Sequence, residues 1–185
     1  MAGALLLTPG AGATRDQRTL VAIEQALAPL PCCRADFPYR LAGRRAPDRA
    51  PVAVAHLIRE AAALVESAGI GADQLVLGGR SYGGRMCSMA VAEGLPAAGL
   101  LLLSYPLHPP GQPAKLRVDH FPQLTIPVLF ISGTGDPFGS TAEFDEQVAA
   151  IPGPVTQVWV PGGHDPRPSG ETTIIAAIRD WLGAR

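Results

Sequence analysis

A serine set among glycines, an aspartate and a histidine stand in that chain order at Ser81, Asp136 and His164. Each type has a job in acyl transfer. A serine hydroxyl is a poor nucleophile until a base takes its proton, and a histidine can take that proton and return it to a leaving group. A carboxylate on the far ring nitrogen fixes the tautomer and stabilises the imidazolium. The question is whether the chain places the three together.

The serine carries its own structural signal. Leu75-Val76-Leu77 is an apolar run, Gly78-Gly79-Arg80-Ser81-Tyr82-Gly83-Gly84 follows, and a helical segment comes next. Gly79-x-Ser81-x-Gly83 fits a nucleophile elbow, a serine on a sharp strand-to-helix turn. The turn holds the serine in a strained backbone conformation, and residues two positions away must be small for strand and helix to approach. The helix N-terminus behind the serine favours developing negative charge. An ordinary glycine-rich turn is the competing reading. Taken singly, Asp136 before Pro137 reads as a turn aspartate and His164 in its glycine turn as a solvated loop residue. Asp165 is a weaker candidate for the acid, because a residue adjacent to His164 cannot easily reach its ring.

The elements that must position these residues follow from periodicity. Strands are expected at Ala4 to Leu7, Arg34 to Phe37, Gln74 to Leu77, Gly99 to Ser104, Pro127 to Ser132 and Thr156 to Val160. Helical patterns run from Asp16 to Ala28, from Val52 to Ala68 after Pro51 at a first helical position, and from Gly83 to Glu93. Ser140-x-x-Glu143 is a capping box that opens a helix to about Ala150, and Ser169 is expected to cap the last helix. Pro38 to Ala50 reads as a loop. Strand and helix alternate throughout, which predicts an α/β chain: a mainly parallel sheet of about six strands with helices on both faces, in one domain over residues 1–185. In such a sheet the loops after the strand C-termini share one rim. Ser81, Asp136 and His164 each follow their own strand and therefore meet on that rim. An oxyanion hole needs two donors: the N–H of Tyr82, next after the serine, and one from Thr8-Pro9-Gly10-Ala11-Gly12, where Ala11 is the choice and Pro9 cannot donate.

Composition sets limits on partners. The chain has 185 residues, 47% of them apolar, and a formal net charge of −1. Nothing in that balance points to nucleic acid or a membrane, and no apolar run is long enough to span a bilayer. The first residues lack a basic n-region, so no signal peptide is read. Three cysteines, with Cys32 and Cys33 adjacent, argue against a disulfide framework and for a cytoplasmic setting. The four histidines show no metal-ligand spacing, and Gly10-Ala11-Gly12 lacks the full dinucleotide pattern, so neither metal nor cofactor is expected.

At this point the chain resembles the α/β-hydrolase superfamily, in its small, cap-less, dienelactone-hydrolase-like form. Gly78-Gly79-Arg80-Ser81-Tyr82-Gly83-Gly84-Arg85 is similar to the elbow of one small, mostly bacterial family. Further matching pieces are Asp36-Phe37-Pro38-Tyr39-Arg40, Pro47-Asp48-Arg49, Tyr105-Pro106-Leu107-His108-Pro109-Pro110-Gly111 and Gly133-Thr134-Gly135-Asp136-Pro137-Phe138. Many relatives carry His-Gly-Ala-Gly where this chain has Pro9-Gly10-Ala11-Gly12. The resemblance implies a minimal α/β-hydrolase fold without a cap domain, an open site, and a serine hydrolase acting on a small-molecule ester or thioester. The alternative is a hydrolase-fold binding or scaffold protein with an idle site, as some eukaryotic relatives suggest.

Arg80, Tyr105 and His108 are the candidate substrate contacts, with Tyr82 as a further wall. Arg80 and Arg85 flank the serine, and one at the mouth would favour an anionic group. The competing reading pairs them structurally, with Asp48 or Glu93. His108 is as readily a lock on its Pro-rich loop.

Overall fold

A computed structural model describes residues 2–184. Six strands, β1 (Ala4–Thr8), β2 (Cys32–Arg34), β3 (Leu75–Arg80), β4 (Gly99–Leu103), β5 (Val128–Gly133) and β6 (Val155–Val160), form one sheet in the order β2-β1-β3-β4-β5-β6. Every neighbouring pair is parallel. The helices are α1 (Arg18–Leu27), α2 (Pro38–Leu41), α3 (Ala50–Ala68), α4 (Tyr82–Ala92), α5 (Thr141–Val148) and α6 (Glu171–Gly183). The alternation of strand and helix thus gives one six-stranded parallel sheet with helices on both faces, as expected.

Side-chain parity along the strands divides the core in two, because successive residues point to opposite faces. Leu6, Leu75, Leu77, Leu100, Leu102, Val128 and Phe130 pack with Leu57 of α3, Met86 of α4 and Phe144 of α5. Leu5, Leu7, Val76, Leu101, Leu103, Leu129 and Ile131 pack on the other face with Leu20 and Ile23 of α1 and Ile174, Ile178 and Trp181 of α6. Both faces of the central strands are covered, so β1 runs apolar from Ala4 to Leu7 and β4 carries no polar side chain, as expected of parallel strands. Among the described residues no helix is long and apolar enough to cross a membrane.

Several boundaries differ from the sequence expectation. The second strand is Cys32–Arg34 rather than Arg34 to Phe37. It is an edge strand paired only with β1, and Phe37 instead turns fully inward ahead of α2. The segment after Pro38 holds a helical turn where a loop was expected, because the Asp48 carboxylate accepts the Tyr39 N–H at 2.8 Å. β3 continues through the glycines to Arg80, since their backbone still pairs with Leu101 and Leu102. Ser140 and Glu143 do form the reciprocal cap of α5. Ser169 does not cap α6: residues 168–170 make a 3-10 turn, and α6 starts after Gly170 with no side-chain cap. The cysteines are free. Burial pushes the Cys32 thiol up to about 12, away from thiolate chemistry.

His120 gives a pH dependence. Its ring meets the Ser88 hydroxyl at 2.7 Å, and burial, followed by the Arg85 charge, lowers its pKa from 6.5 to about 4, with Asp119 opposing. The unfolded chain therefore binds the proton more readily than the fold. Stability is complete above pH 6.5 and declines as pH falls toward 4, by no more than about 1.4 kcal/mol per pH unit. Urea unfolding at pH 7 and pH 5 should show that loss, and His120→Gln should flatten it.

Candidate active site

Strand β3 ends in Arg80 and helix α4 begins at Tyr82, leaving Ser81 alone to make the turn. Its backbone sits at φ 50 and ψ −114, a conformation L-residues rarely adopt. Strain of this kind costs on the order of 1–3 kcal/mol and persists only where the surroundings impose it. Here they do: the Ser81 N–H donates to Leu103 O at 2.8 Å, and its carbonyl accepts from the Arg85 N–H at 3.0 Å. The flanking glycines are needed for close approach. A Cβ on Gly79 would lie 2.6 Å from the backbone of Gly83 and Gly84, and one on Gly83 would lie 2.6 Å from Pro9 O.

The loops after β5 and β6 deliver the other two groups. Gly135 N–H donates to Gly162 O at 2.8 Å, tying the two loops together. Asp136 lies on the first loop with its side chain 1% exposed, and His164 on the second at 20%. His164 Nε2 is 2.8 Å from Ser81 Oγ, and Nδ1 is 2.8 and 3.0 Å from the Asp136 oxygens. With Nδ1 protonated toward the carboxylate, Nε2 faces the serine as an acceptor. Asp136 also accepts the Phe138 N–H at 2.9 Å, and the Phe138 ring lies over the imidazole with centroids 4.0 Å apart.

Arg80 lines the cavity beside Ser81, and its charge is already paired. Its buried guanidinium donates to His164 O at 2.6 Å and pairs with Asp165 at 3.0 Å. Burial lowers its pKa, and the Asp165 charge offsets part of that desolvation. The partner is Asp165, rather than Asp48 or Glu93, and the pair fixes the loop that carries His164. Tyr105 and His108 are not brought to the site. Ser104 takes φ 47 at the end of β4, and Tyr105 is fully buried, packing on Phe121 and Phe130 with its hydroxyl donating to Arg117 O at 2.7 Å. His108 is buried, with ring nitrogens on Pro109 O and Glu143, so it locks its own loop.

Ser81, Tyr82, His164, Gly10 and Ala11 do share one cavity, of about 390 Å³. In the loop after β1 the Gly10 N–H is taken by Gln17 Oε1 and the Gly12 N–H by Tyr39 Oη, each at 3.2 Å. That leaves the Ala11 N–H without a partner among the described residues, as is the Tyr82 N–H at the start of α4. Pro9 is buried beneath the loop and is not part of the cavity wall. The arrangement can activate a hydroxyl, hold a developing oxyanion and protonate a leaving group. Arg117 and Phe138 also line the cavity; Phe138 ends the motif Gly133–Phe138, whereas Arg117 lies in no motif and no periodic element.

A parallel sheet with its chemistry gathered at the strand C-termini, and a serine on a strained turn into a helix, is the architecture of an α/β hydrolase. The chain belongs to the alpha/beta hydrolase domain family, whose model matches residues 1–176. Solved structures agree on the fold. Est1E from Butyrivibrio proteoclasticus, solved with ferulic acid bound, is similar with a TM-score of 0.75 at 13% identity, over 98% of this chain and 88% of that one. A carboxylesterase from Mesorhizobium loti is similar with a TM-score of 0.69 at 19% identity, over 100% and 90%. RedJ, a thioesterase of the prodiginine biosynthetic pathway in Streptomyces coelicolor, is similar with a TM-score of 0.68 at 13% identity, over 94% and 84%.

Proposed function

We propose that the protein is a serine hydrolase that cleaves small-molecule carboxylic esters or thioesters through Ser81, His164 and Asp136. The observation that carries the reading is the continuous hydrogen-bond chain from Ser81 Oγ through both ring nitrogens of His164 to Asp136. Ser81 Oγ attacks the acyl carbon while His164 Nε2 takes its proton. Asp136 holds the ring and stabilises the imidazolium. The Tyr82 and Ala11 N–H groups receive the oxyanion. The C–O or C–S bond then breaks, and His164 gives its proton to the departing alcohol or thiol. Water attacks the acyl-serine, passes a proton to His164, and the acid leaves as Ser81 recovers its hydrogen.

The three free cysteines and the near-neutral charge fit a cytoplasmic enzyme of one hydrolase domain with no cofactor. The idle-scaffold alternative has less in its favour, because Pro9 is buried away from the cavity and Ala11 keeps a free donor. The test is labelling of the wild-type protein with a fluorophosphonate probe, followed by a panel of short 4-nitrophenyl esters and acyl thioesters. The expected result is stoichiometric labelling and turnover. Folded protein that neither labels nor turns over any member of the panel would sink the proposal.

A further inference from the structure

The wall of the Ser81 cavity carries three arginines and no carboxylate. Arg80 is spoken for by Asp165 and the His164 carbonyl. Arg85 and Arg117 are not: among the described residues neither guanidinium makes an ion pair or a hydrogen bond. Arg85 Nε is buried without a partner. The two charges also work against each other. Arg117 has its pKa lowered by burial and then by the Arg85 charge, an arrangement a fold gains nothing from by itself. Both positions are nevertheless held firmly. Arg85 is in the first turn of α4 with its N–H on Ser81 O, and Arg117 is pinned through its N–H to Leu107 O and its carbonyl to Tyr105 Oη.

We infer that Arg85 and Arg117 form an anion-binding subsite beside Ser81, so that the substrate is an ester or thioester bearing a carboxylate or phosphate group. The inference rests on the serine-hydrolase reading for the word substrate, but the anion site stands on geometry alone. Two unpaired guanidiniums facing one part-buried space supply several donors and two positive charges, which matches an oxyanion and disfavours a neutral chain. Anion binding would relieve their mutual repulsion, a gain that no neutral ligand offers.

Calorimetric titration with glutarate and, separately, with inorganic phosphate tests the site without any turnover. Saturable one-to-one binding of at least one of them is expected, weakening with added salt. Which of the two binds more tightly tells carboxylate from phosphate recognition. Arg85→Gln and Arg117→Gln should each weaken it about tenfold or more, Arg117→Lys less, and Ser81→Ala should leave it intact. In turnover, the 4-nitrophenyl monoester of glutaric acid should exceed 4-nitrophenyl valerate about tenfold in kcat/KM, mostly through KM. Folded wild-type protein that binds neither anion, or binding that survives both Gln substitutions, would overturn the inference. Failure of the hydrolase reading looks different: valerate ester and fluorophosphonate would both be ignored while anion binding persisted.

Discussion

Ser81→Ala is expected to abolish fluorophosphonate labelling and to lower ester turnover by roughly four to six orders of magnitude in kcat. The size follows from how the group works. Without the Oγ there is no covalent intermediate, and the aligned His164–Asp136 pair has nothing to deprotonate except water. What remains is the residual help of the Tyr82 and Ala11 donors and of binding. Folding should be little affected. Alanine tolerates φ 50 about as poorly as serine does, and the lost 2.8 Å contact leaves His164 Nε2 at a solvent-reached position where water replaces the hydroxyl. A circular-dichroism melt within a few degrees of wild type, alongside a dead enzyme, is the outcome that assigns the chemistry to the hydroxyl. Labelling that survives the change would place the reactive nucleophile elsewhere.

The second large effect is on stability. In Gly83→Ala the added Cβ would meet Pro9 O at 2.6 Å and Thr8 O at 2.7 Å, both backbone atoms of the segment leaving β1. Backbone cannot rotate aside as a flexible side chain does. Either helix α4 lifts off the sheet or the loop carrying Gly10 and Ala11 shifts. A cost of about 3 kcal/mol is expected. Activity should fall further than stability, because the displaced loop supplies a proposed oxyanion donor. Gly170→Ala is the control, since its added Cβ would meet nothing within 4 Å. Urea melts of the pair measure the difference directly. A Gly83→Ala protein of wild-type stability would mean that the elbow does not demand the close approach described above.

These two positions were the most legible part of the chain, and the reason is locality. The elbow's signal, Gly79, Ser81, Gly83 and Gly84, is written in nearly consecutive residues, although the Gly83 contact is with Thr8 and Pro9. The central strands were equally readable, since burial on both faces leaves Leu100 to Leu103 apolar without interruption. What the sequence did not disclose depends on distant partners. α2 forms because Asp48 reaches back to Tyr39 N–H. Tyr105 points inward because Ser104 turns the chain at φ 47. The pairing of Arg80 was not legible because its partner, Asp165, lies on a loop 85 positions later in the chain. Arg117 belongs to an irregular stretch whose placement is set by Tyr105 and Leu107, and no periodicity reports that.

The order of the elements has a consequence for the chain while it is being made. The exposed segment 110–116, between β4 and β5, separates the strands and helix that form the Ser81 elbow from the loops that carry Asp136 and His164. A nascent polypeptide can close β1, β3 and β4 around the elbow before β5 and β6 have left the ribosome. Such an intermediate displays the serine with no base to activate it. The late half, were it cut free, carries the histidine and aspartate with no hydroxyl to serve. On the proposed mechanism reactivity therefore belongs only to the finished molecule, and neither a stalled translation product nor a proteolytic fragment ending in that segment would hydrolyse esters.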